Sequence, residues 1–343
     1  MLTERQLLIL KVTVDDYIES AQPVGSNQLS KKSELPFSPA TIRNAMADLE
    51  KMGFLEKTHT SSGRIPSQKG YRYYVDHLLT LRPLPKQDIL QLQSIFDDKI
   101  AETEEVIKRS AMILSELTNY TAILLGPDVR KHTVKRLSIV PLGADSAVAI
   151  IVTDSGHVEN RVFPIPPGLD PSDIEKMVNI LNERLAGVSL NDLHMRLEQE
   201  TLSIFRQHIN RYAELFTTFR QAVVLPHEDN VYYAGKLNIL KQPDFHDIHK
   251  IRSLMDVMEE SKHIPMIMPA GSLGLQIRIG SENTLSAMED CSVITVAYAI
   301  GEEQTGSIAI VGPKRMDYKR VVTLLDTLSG DLSKELTRLL RGK

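Results

Sequence analysis

The chain contains no tryptophan and only one cysteine, Cys291, among its 343 residues. A single cysteine excludes an internal disulfide and any zinc site built mainly from cysteines. No apolar run approaches the ~20 residues that cross a bilayer, and the N-terminus lacks the basic-then-apolar pattern of a signal peptide. Because hydrophobic residues make up 42% and charged residues 24% of the chain, we expect a folded protein of the cytoplasm with no membrane segment.

The net charge of −4 hides a gradient along the chain. Residues 1–80 carry ten Lys and Arg against nine Asp and Glu, a net of +1, so the remainder carries −5. Residues 57–72 contain no acid and four cations, Lys57, Arg64, Lys69 and Arg72. A local basic patch attracts phosphate whatever the total charge, although four charges taken alone would more simply be a solvated face.

Residues 37–74 have the pattern of a helix followed by a small hairpin. Ser38 is predicted to cap the helix, with Pro39 in its first turn, and Gly53 is predicted to end it. A short strand, a turn at 61–63 and a returning strand follow, before another helix begins. This order is typical of a winged helix-turn-helix, in which the helix enters the major groove and the hairpin contacts phosphate or the minor groove.

Four segments carry a closer resemblance. They are LTERQ (2–6), YIESAQPVGS (17–26), SPATIRNAMADLE (38–50) and HTSSGRIPSQKGYRYYVD (59–76). In these motifs, and in later segments that extend over essentially the whole chain, the sequence resembles the HrcA-type heat-inducible transcription repressors of bacteria. The resemblance implies a repressor of chaperone operons that binds double-stranded DNA at an inverted-repeat operator, CIRCE. It also implies that the protein acts as a homodimer and that the GroEL chaperonin keeps it active.

The first turns of the predicted recognition helix carry the candidate base contacts. Arg43 can grip guanine, and Asn44 can grip adenine, through paired hydrogen bonds. Ser38 and Thr41 can hold phosphate at the helix N-terminus, or they can serve only as caps. Although all four residues could be ordinary exposed helix residues, we predict that Ser38, Thr41, Arg43 and Asn44 contact DNA.

The hairpin and its flank carry the candidate phosphate contacts. Arg64 is predicted to lie at the tip of the hairpin, where it would reach phosphate or the minor groove, although the Gly63–Pro66 segment could be a tight turn alone. The remaining predicted contacts of the wing and its flank are Lys57, Lys69 and Arg72.

The rest of the chain is predicted to complete a multidomain α+β fold. After the winged helix at 1–80, Pro83 and Pro85 stiffen a linker at 81–87. Six β-rich runs bounded by turn residues indicate one antiparallel sheet with a long helical interruption: 134–140, 147–153, 158–164, 274–279, 292–300 and 307–311. The resemblance implies a GAF-like domain, expected at 88–185 and 262–343, and an inserted α/β dimerising domain, expected at 186–261.

A long helical region at about 190–220 is predicted to carry the dimer interface. It has a large share of the aromatic residues in a chain with eight Phe and ten Tyr, and aromatic side chains are enriched where one protein surface meets another. The candidate dimerisation residues are Phe205, Tyr212, Phe216 and Phe219.

Nothing in the sequence supports a catalytic or metal site. His246 and His249, with Asp244 and Asp247 beside them, have a loosely metal-like spacing, but without a third convincing ligand they are predicted to form a surface cluster. We therefore expect a non-enzyme without metal or cofactor. Two alternatives stay open: a regulator that senses a small ligand in its GAF-like domain and, less well supported, an enzyme with an appended DNA-binding domain.

Overall fold

The computed structural model describes residues 2–57, 63–97, 103–126, 132–143, 145–154, 158–166, 171–207, 217–220, 231–269, 274–301 and 304–341. The chain divides into two compact units. The first unit consists of Met1–Pro127 together with Asn230–Lys343, and the second of Asp128–Asp229. Helices and antiparallel sheets occur in both units, which confirms the predicted multidomain α+β class.

The helices are α1 (Glu4–Ser20), α2 (Ser26–Leu29), α3 (Pro39–Lys51), α4 (Gln68–Tyr73), α5 (Lys86–Gln93), α6 (Thr103–Thr118), α7 (Pro171–Leu185), α8 (Leu190–Gln207), α9 (Ile248–Glu259), α10 (Ile264–Ile267) and α11 (Tyr318–Arg341). The strands are β1 (Leu55–Lys57), β2 (Arg64–Pro66), β3 (Thr121–Leu125), β4 (Val134–Pro141), β5 (Ser146–Thr153), β6 (Val158–Pro164), β7 (Val231–Ala234), β8 (Gln276–Ile279), β9 (Cys291–Ile300) and β10 (Gln304–Pro313). A π-helical turn over Tyr74–Leu78 continues α4.

The N-terminal part of the first unit is the predicted winged helix, which we define as residues 2–80. Helices α1, α2 and α3 are followed by the antiparallel pair β1–β2 and then by α4. Apolar residues spaced three and four apart form the inner face of α3, because those intervals lie on one side of a helix. Ile42, Met46 and Leu49 are accordingly buried, at 0%, 4% and 0% exposure.

The remainder of the first unit, from residue 86 onwards, is called the body. Its five-stranded sheet has the order β7-β3-β10-β9-β8 with antiparallel neighbours throughout. Helix α11 places Leu325, Leu328 and Leu332 in the core on the spacing of an amphipathic helix. Cys291 is buried at the start of β9, as predicted for a small core hydrophobe, and burial raises the pKa of its thiol to about 12.

The second unit has its own sheet and its own core. Strands β4, β5 and β6 form an antiparallel meander, which matches the predicted order of those three strands. Their inner face packs on α7 and α8 around a buried cluster that includes Leu137, Ile151, Phe163, Leu181 and Leu197.

The prediction of a single interrupted sheet was wrong. The meander β4–β6 is separate from the five-stranded sheet, so residues 128–185 leave the predicted 88–185 segment and join the second unit. Strand β7 pairs with β3, so the end of the predicted 186–261 insert belongs to the first unit. Turn chemistry between strands reveals a meander, but hydrogen bonding between distant segments decides which sheet each strand joins.

Candidate nucleic-acid interface

Helix α3 presents its polar face to solvent. Arg43 and Asn44 are exposed, with Ala40 before them and Asp48 after them on the same side. Arg43, Asn44 and Asp48 lie three, four and eight residues after Ala40, so all three belong to the same exposed side of the helix as Ala40. The two side chains predicted to read bases therefore stand together on an accessible surface.

The N-terminus of α3 is capped by a side chain. The Oγ atom of Ser38 accepts a hydrogen bond from the backbone N–H of Thr41 at 3.2 Å and lies 2.9 Å from the Thr41 hydroxyl. Pro39 occupies the first turn, where its missing N–H has no cost. Gly53, with a φ of +77°, follows the last turn. Both ends of α3 are thus set by local residues, and Ser38 has a capping role that remains compatible with a phosphate contact.

Arg64 opens β2 and pairs with Lys57, at the end of the hairpin ladder nearest the connection between the strands. Its Nε and one terminal nitrogen each donate to Glu50 Oε2 at 2.7 Å, and its backbone exchanges hydrogen bonds of 2.9 Å with Val24. Residues 58–62, which connect the two strands, lie outside the described residues, so the position of Arg64 at the tip stays a prediction. The guanidinium of Arg64, which was predicted to contact phosphate, is instead paired with the carboxylate of Glu50 near the end of α3.

The flank of the wing is also partly neutralised. Arg72 donates to Glu282 Oε1 at 2.9 Å, to the backbone oxygen of Ile277 at 2.7 Å and to Asp76 at 3.1 Å. Burial by itself would lower the pKa of Arg72, but the hydrogen bonds to Glu282 and Asp76 outweigh it and raise the pKa. Arg72 is thus half-buried and paired with two carboxylates, which disfavours its predicted contact with DNA.

The two lysines differ from the two arginines. Lys57 is exposed at the end of β1. Lys69 is also exposed, with its Nζ 4.4 Å from the centre of the Phe54 ring and 2.8 Å from the backbone oxygen of Met52. A lysine stem can pack on apolar surface while its charge stays in water. These two lysines and Arg43 are the exposed cations of the predicted contact set.

The predicted dimerisation residues divide into three cases. Phe205 lies on α8, whereas Tyr212 and Phe216 lie outside the described residues. Phe219 is fully buried in the core of the second unit, with its ring edge-on to Phe163 at 5.8 Å. The prediction that Phe219 offers a surface to a partner was wrong, because the core of its own unit already covers it.

An apolar surface that the sequence did not reveal lies on the same unit. The outer sheet face, which points away from α7 and α8, carries the polar residues Arg136, Ser138 and Asn160 and a larger apolar set: Val140, Val148, Ile150, Val152, Val158 and Val162. Three of these valines are well exposed, Val140 at 44%, Val158 at 50% and Val162 at 64%. A signal was present, because β5 is apolar on both of its faces and such strands are usually covered on both sides.

The two aspartates beside His246 and His249, near α9, are engaged in other hydrogen bonds. Asp247 caps α9 by accepting from the backbone N–H of His249 at 2.9 Å, and Asp244 Oδ2 accepts from Arg315 Nε at 2.8 Å. His246 is exposed on the same loop. In the described part of the chain, no group of three His, Cys, Asp or Glu side chains is arranged to hold a metal ion.

A cavity of about 510 Å³ lies between α1 and the start of α11. Its lining includes charged side chains of both signs, among them Asp15, Arg82 and Lys319. This polar lining differs from the apolar pocket that a small-ligand sensor would offer.

Within the described ranges, no helix is long and apolar enough to cross a membrane.

Known proteins resemble the chain over nearly its full length. The family model of the HrcA protein C-terminal domain matches residues 104–322. The heat-inducible transcription repressor HrcA of Lysinibacillus sphaericus is 56% identical over 339 residues, which is 98% of this chain and 99% of that protein. A crystal structure described as that of a hypothetical protein matches with a TM-score of 0.72 and 25% identity, covering 98% of this chain and 99% of the other.

Proposed function

The chain belongs to the HrcA family of heat-inducible transcription repressors, and from this premise we propose that it represses chaperone operons by occupying the CIRCE inverted repeat as a homodimer. The repressor acts in the cytoplasm, where the chromosome lies, by occupancy and without a catalytic step. The observation that carries the proposal is the exposed pair Arg43 and Asn44 on a capped helix that is followed by a wing.

Helix α3 serves as the recognition helix. Its N-terminal residues enter the major groove, where base edges are usually contacted. Arg43 and Asn44 offer the two side chains best suited to purine edges, while Ser38 and Thr41 lie where a phosphate would meet the helix N-terminus. Lys57 and Lys69 add sequence-independent attraction to the backbone.

Arg64 has a different part in this proposal. Its ion pair with Glu50 and its backbone bonds to Val24 tie the hairpin to α3 and to the loop before α2. Glu50 lies near the end of α3, so the wing and the recognition helix approach DNA as one piece. Arg64 is therefore a positioning residue, and its charge is largely compensated before DNA arrives.

The homodimer forms through the outer sheet face of the second unit. Val140, Val148 and Val162 lie side by side across the three strands, and their exposure would be removed by an identical face on a second copy. A two-fold dimer matches an inverted repeat, because operator symmetry mirrors protein symmetry. Such an isologous contact places the same surface on both protomers.

The body is the GAF-like domain of the family, and GroEL favours the active fold of the repressor. Support for the chaperonin comes from family membership. The test is operator binding after refolding with and without GroEL and ATP, where a chaperonin-dependent gain in active protein is expected. Equal recovery in both samples would contradict this part of the proposal.

Footprinting on genomic DNA fragments tests the central claim. The full-length protein should protect an inverted repeat upstream of chaperone genes, with both arms protected over the same concentration range. Protection of one arm alone, or of no defined sequence, would contradict binding as a symmetric dimer.

A further inference from the structure

The winged helix is joined to the body through polar contacts on α4. Arg72 contacts both the carboxylate of Glu282 and the backbone oxygen of Ile277. One turn earlier, Gln68 donates to Ser281 Oγ at 2.8 Å and accepts from the Ser281 backbone N–H at 3.0 Å. Each of these bonds joins residues more than two hundred positions apart in the chain.

A second set of contacts joins α1 to α11. Lys319 Nζ donates to Asp15 Oδ1 at 2.7 Å, and the Tyr74 hydroxyl donates to the same carboxylate oxygen. Arg315, three residues before α11, donates to the backbone oxygen of Ile18 at 3.3 Å. The two ion pairs Arg72–Glu282 and Asp15–Lys319, which we call the clasp, stand on different helices of the winged helix.

The clasp is partly shielded from water. The four side chains retain between 16% and 32% of their exposure, so their attraction is screened less than that of a fully exposed pair. A close backbone approach accompanies it: Gly280 has a φ of +59°, and a Cβ there would lie 2.4 Å from the Gln68 Oε1 atom. Side chains and backbone are therefore fitted together at this junction.

The clasp leaves the recognition helix free. It uses α1 and α4, whereas Arg43 and Asn44 on α3 remain exposed. No clasp residue is then required at the DNA surface, although Arg72 belongs to the basic run that sequence alone assigns to DNA.

We propose that Arg72 and Asp15 are positioning residues, and that the clasp holds the winged helix at one orientation on the body. The inference rests on the proposed function, in which two winged helices of a dimer read two arms of an operator. A fixed orientation on the body removes one source of variation in the distance and angle between the recognition helices.

The physical consequence concerns the second arm of the operator. Once one arm is bound, the second contact is intramolecular, and its strength depends on how well the geometry matches the span. A clasped winged helix is preorganised for one spacing, while a released one samples many orientations on the linker at 81–87. Release should therefore weaken binding at the correct spacing and blunt the discrimination against a wrong one.

The experiment uses the full-length protein and three duplexes. They carry the CIRCE inverted repeat, the same repeat with about five base pairs added between its arms, which is half a helical turn, and a single arm. The variants are Arg72→Ala, Lys319→Ala and Glu282→Gln, the last of which keeps an oxygen for the hydrogen bond that Glu282 accepts from the Ile279 backbone N–H.

For each clasp variant we expect about tenfold weaker binding to the correctly spaced repeat, a part of the ~10²–10⁴ that bivalency supplies. Binding to the single arm should stay within about twofold of wild type, which also shows that the winged helix is folded. The preference for the correct over the altered spacing should fall by about tenfold. Arg338→Ala is the matched control, because Arg338 makes a comparable arginine–glutamate pair with Glu335 at an exposed site on α11.

Three results would overturn the proposal. Unchanged affinity and spacing preference in all variants would show that the clasp does not orient the winged helix. Equal loss on all three duplexes with Arg72→Ala, combined with tighter binding by Glu282→Gln, would make Arg72 a phosphate ligand. A wild-type protein that ignores the repeat altogether would refute the proposed function, and the clasp's role with it.

Discussion

Replacing Arg43 by alanine should remove operator preference while leaving the fold and non-specific binding nearly intact. The side chain is exposed on α3, and substitutions at such positions usually change the free energy of unfolding by no more than about 0.5 kcal/mol. The side chain contributes instead to the free energy of DNA binding, because a good bidentate hydrogen bond to a base discriminates against the wrong base by about 1–3 kcal/mol.

The loss of binding free energy doubles in a symmetric complex, because both protomers carry the substitution. Each of the two protomers gives up one base-reading side chain, so the operator should be bound about 2–6 kcal/mol less tightly. At 1.4 kcal/mol per factor of ten, this corresponds to a loss between about 30-fold and about 10⁴-fold. Asn44→Ala should behave in the same way, because its amide lies on the same exposed face.

The assay is equilibrium binding to operator and scrambled duplexes at one fixed salt concentration, since affinities for DNA change steeply with salt. Arg252→Ala is a suitable control, because Arg252 is an exposed helical arginine on α9 of the body. An equal loss on operator and scrambled DNA would refute base reading and would make Arg43 a phosphate ligand.

The charges and surfaces of the structure lead to three further predictions. Lys57→Ala should lower the slope of log affinity against log salt by about 0.9 for each phosphate that the lysine no longer neutralises, whereas Arg64→Ala should destabilise the winged helix and change that slope less; the opposite order would return Arg64 to the DNA surface. Val162→Asp should give a folded monomer in sedimentation, while Met195→Asp, at a site on α8 of the same unit that is 54% exposed against 64% for Val162, should stay dimeric. A dimeric Val162→Asp protein would place the interface elsewhere. Burial by itself would raise the pKa of Asp15, but hydrogen bonds from Lys319 and Tyr74 outweigh it and lower the pKa. The stabilisation that ionised Asp15 gives the fold is therefore present above the ordinary carboxyl pKa and is lost as pH falls through the lowered value. Asp15→Asn should flatten this loss of stability at acid pH in denaturant titrations, and an unchanged pH profile would contradict the linkage.

Local residues determined most of the winged helix. Ser38 and Gly53 mark the ends of α3 because capping and a left-handed backbone are decided within a few residues. The spacing of Ile42, Met46 and Leu49 determines which face of α3 is buried. The exposure of Arg43 and Asn44 then follows from helix geometry. A helix carries its own period, so this part of the site could be predicted from the sequence.

Long-range partners were decided only by the tertiary structure. The run 57–72 looks uniformly basic, yet Arg64 pairs with Glu50, 14 residues away, and Arg72 pairs with Glu282, 210 residues away. Ion pairs across such separations leave no periodic trace in the sequence. The same is true of strand pairing, because β7 pairs with β3 across more than one hundred residues. Nearly all the residues that separate these two strands in the sequence belong to the second unit.

The aromatic residues and the sheet of the second unit complete this contrast. Phe219 belongs to an aromatic-rich stretch that looks like an interface, but it is the core that covers it. Val158 and Val162 draw little notice in the sequence, yet the pleat of β6 turns them both outward. Composition indicates how much apolar surface a segment has, whereas the packing of α7 and α8 on one face of the sheet determines which side remains open.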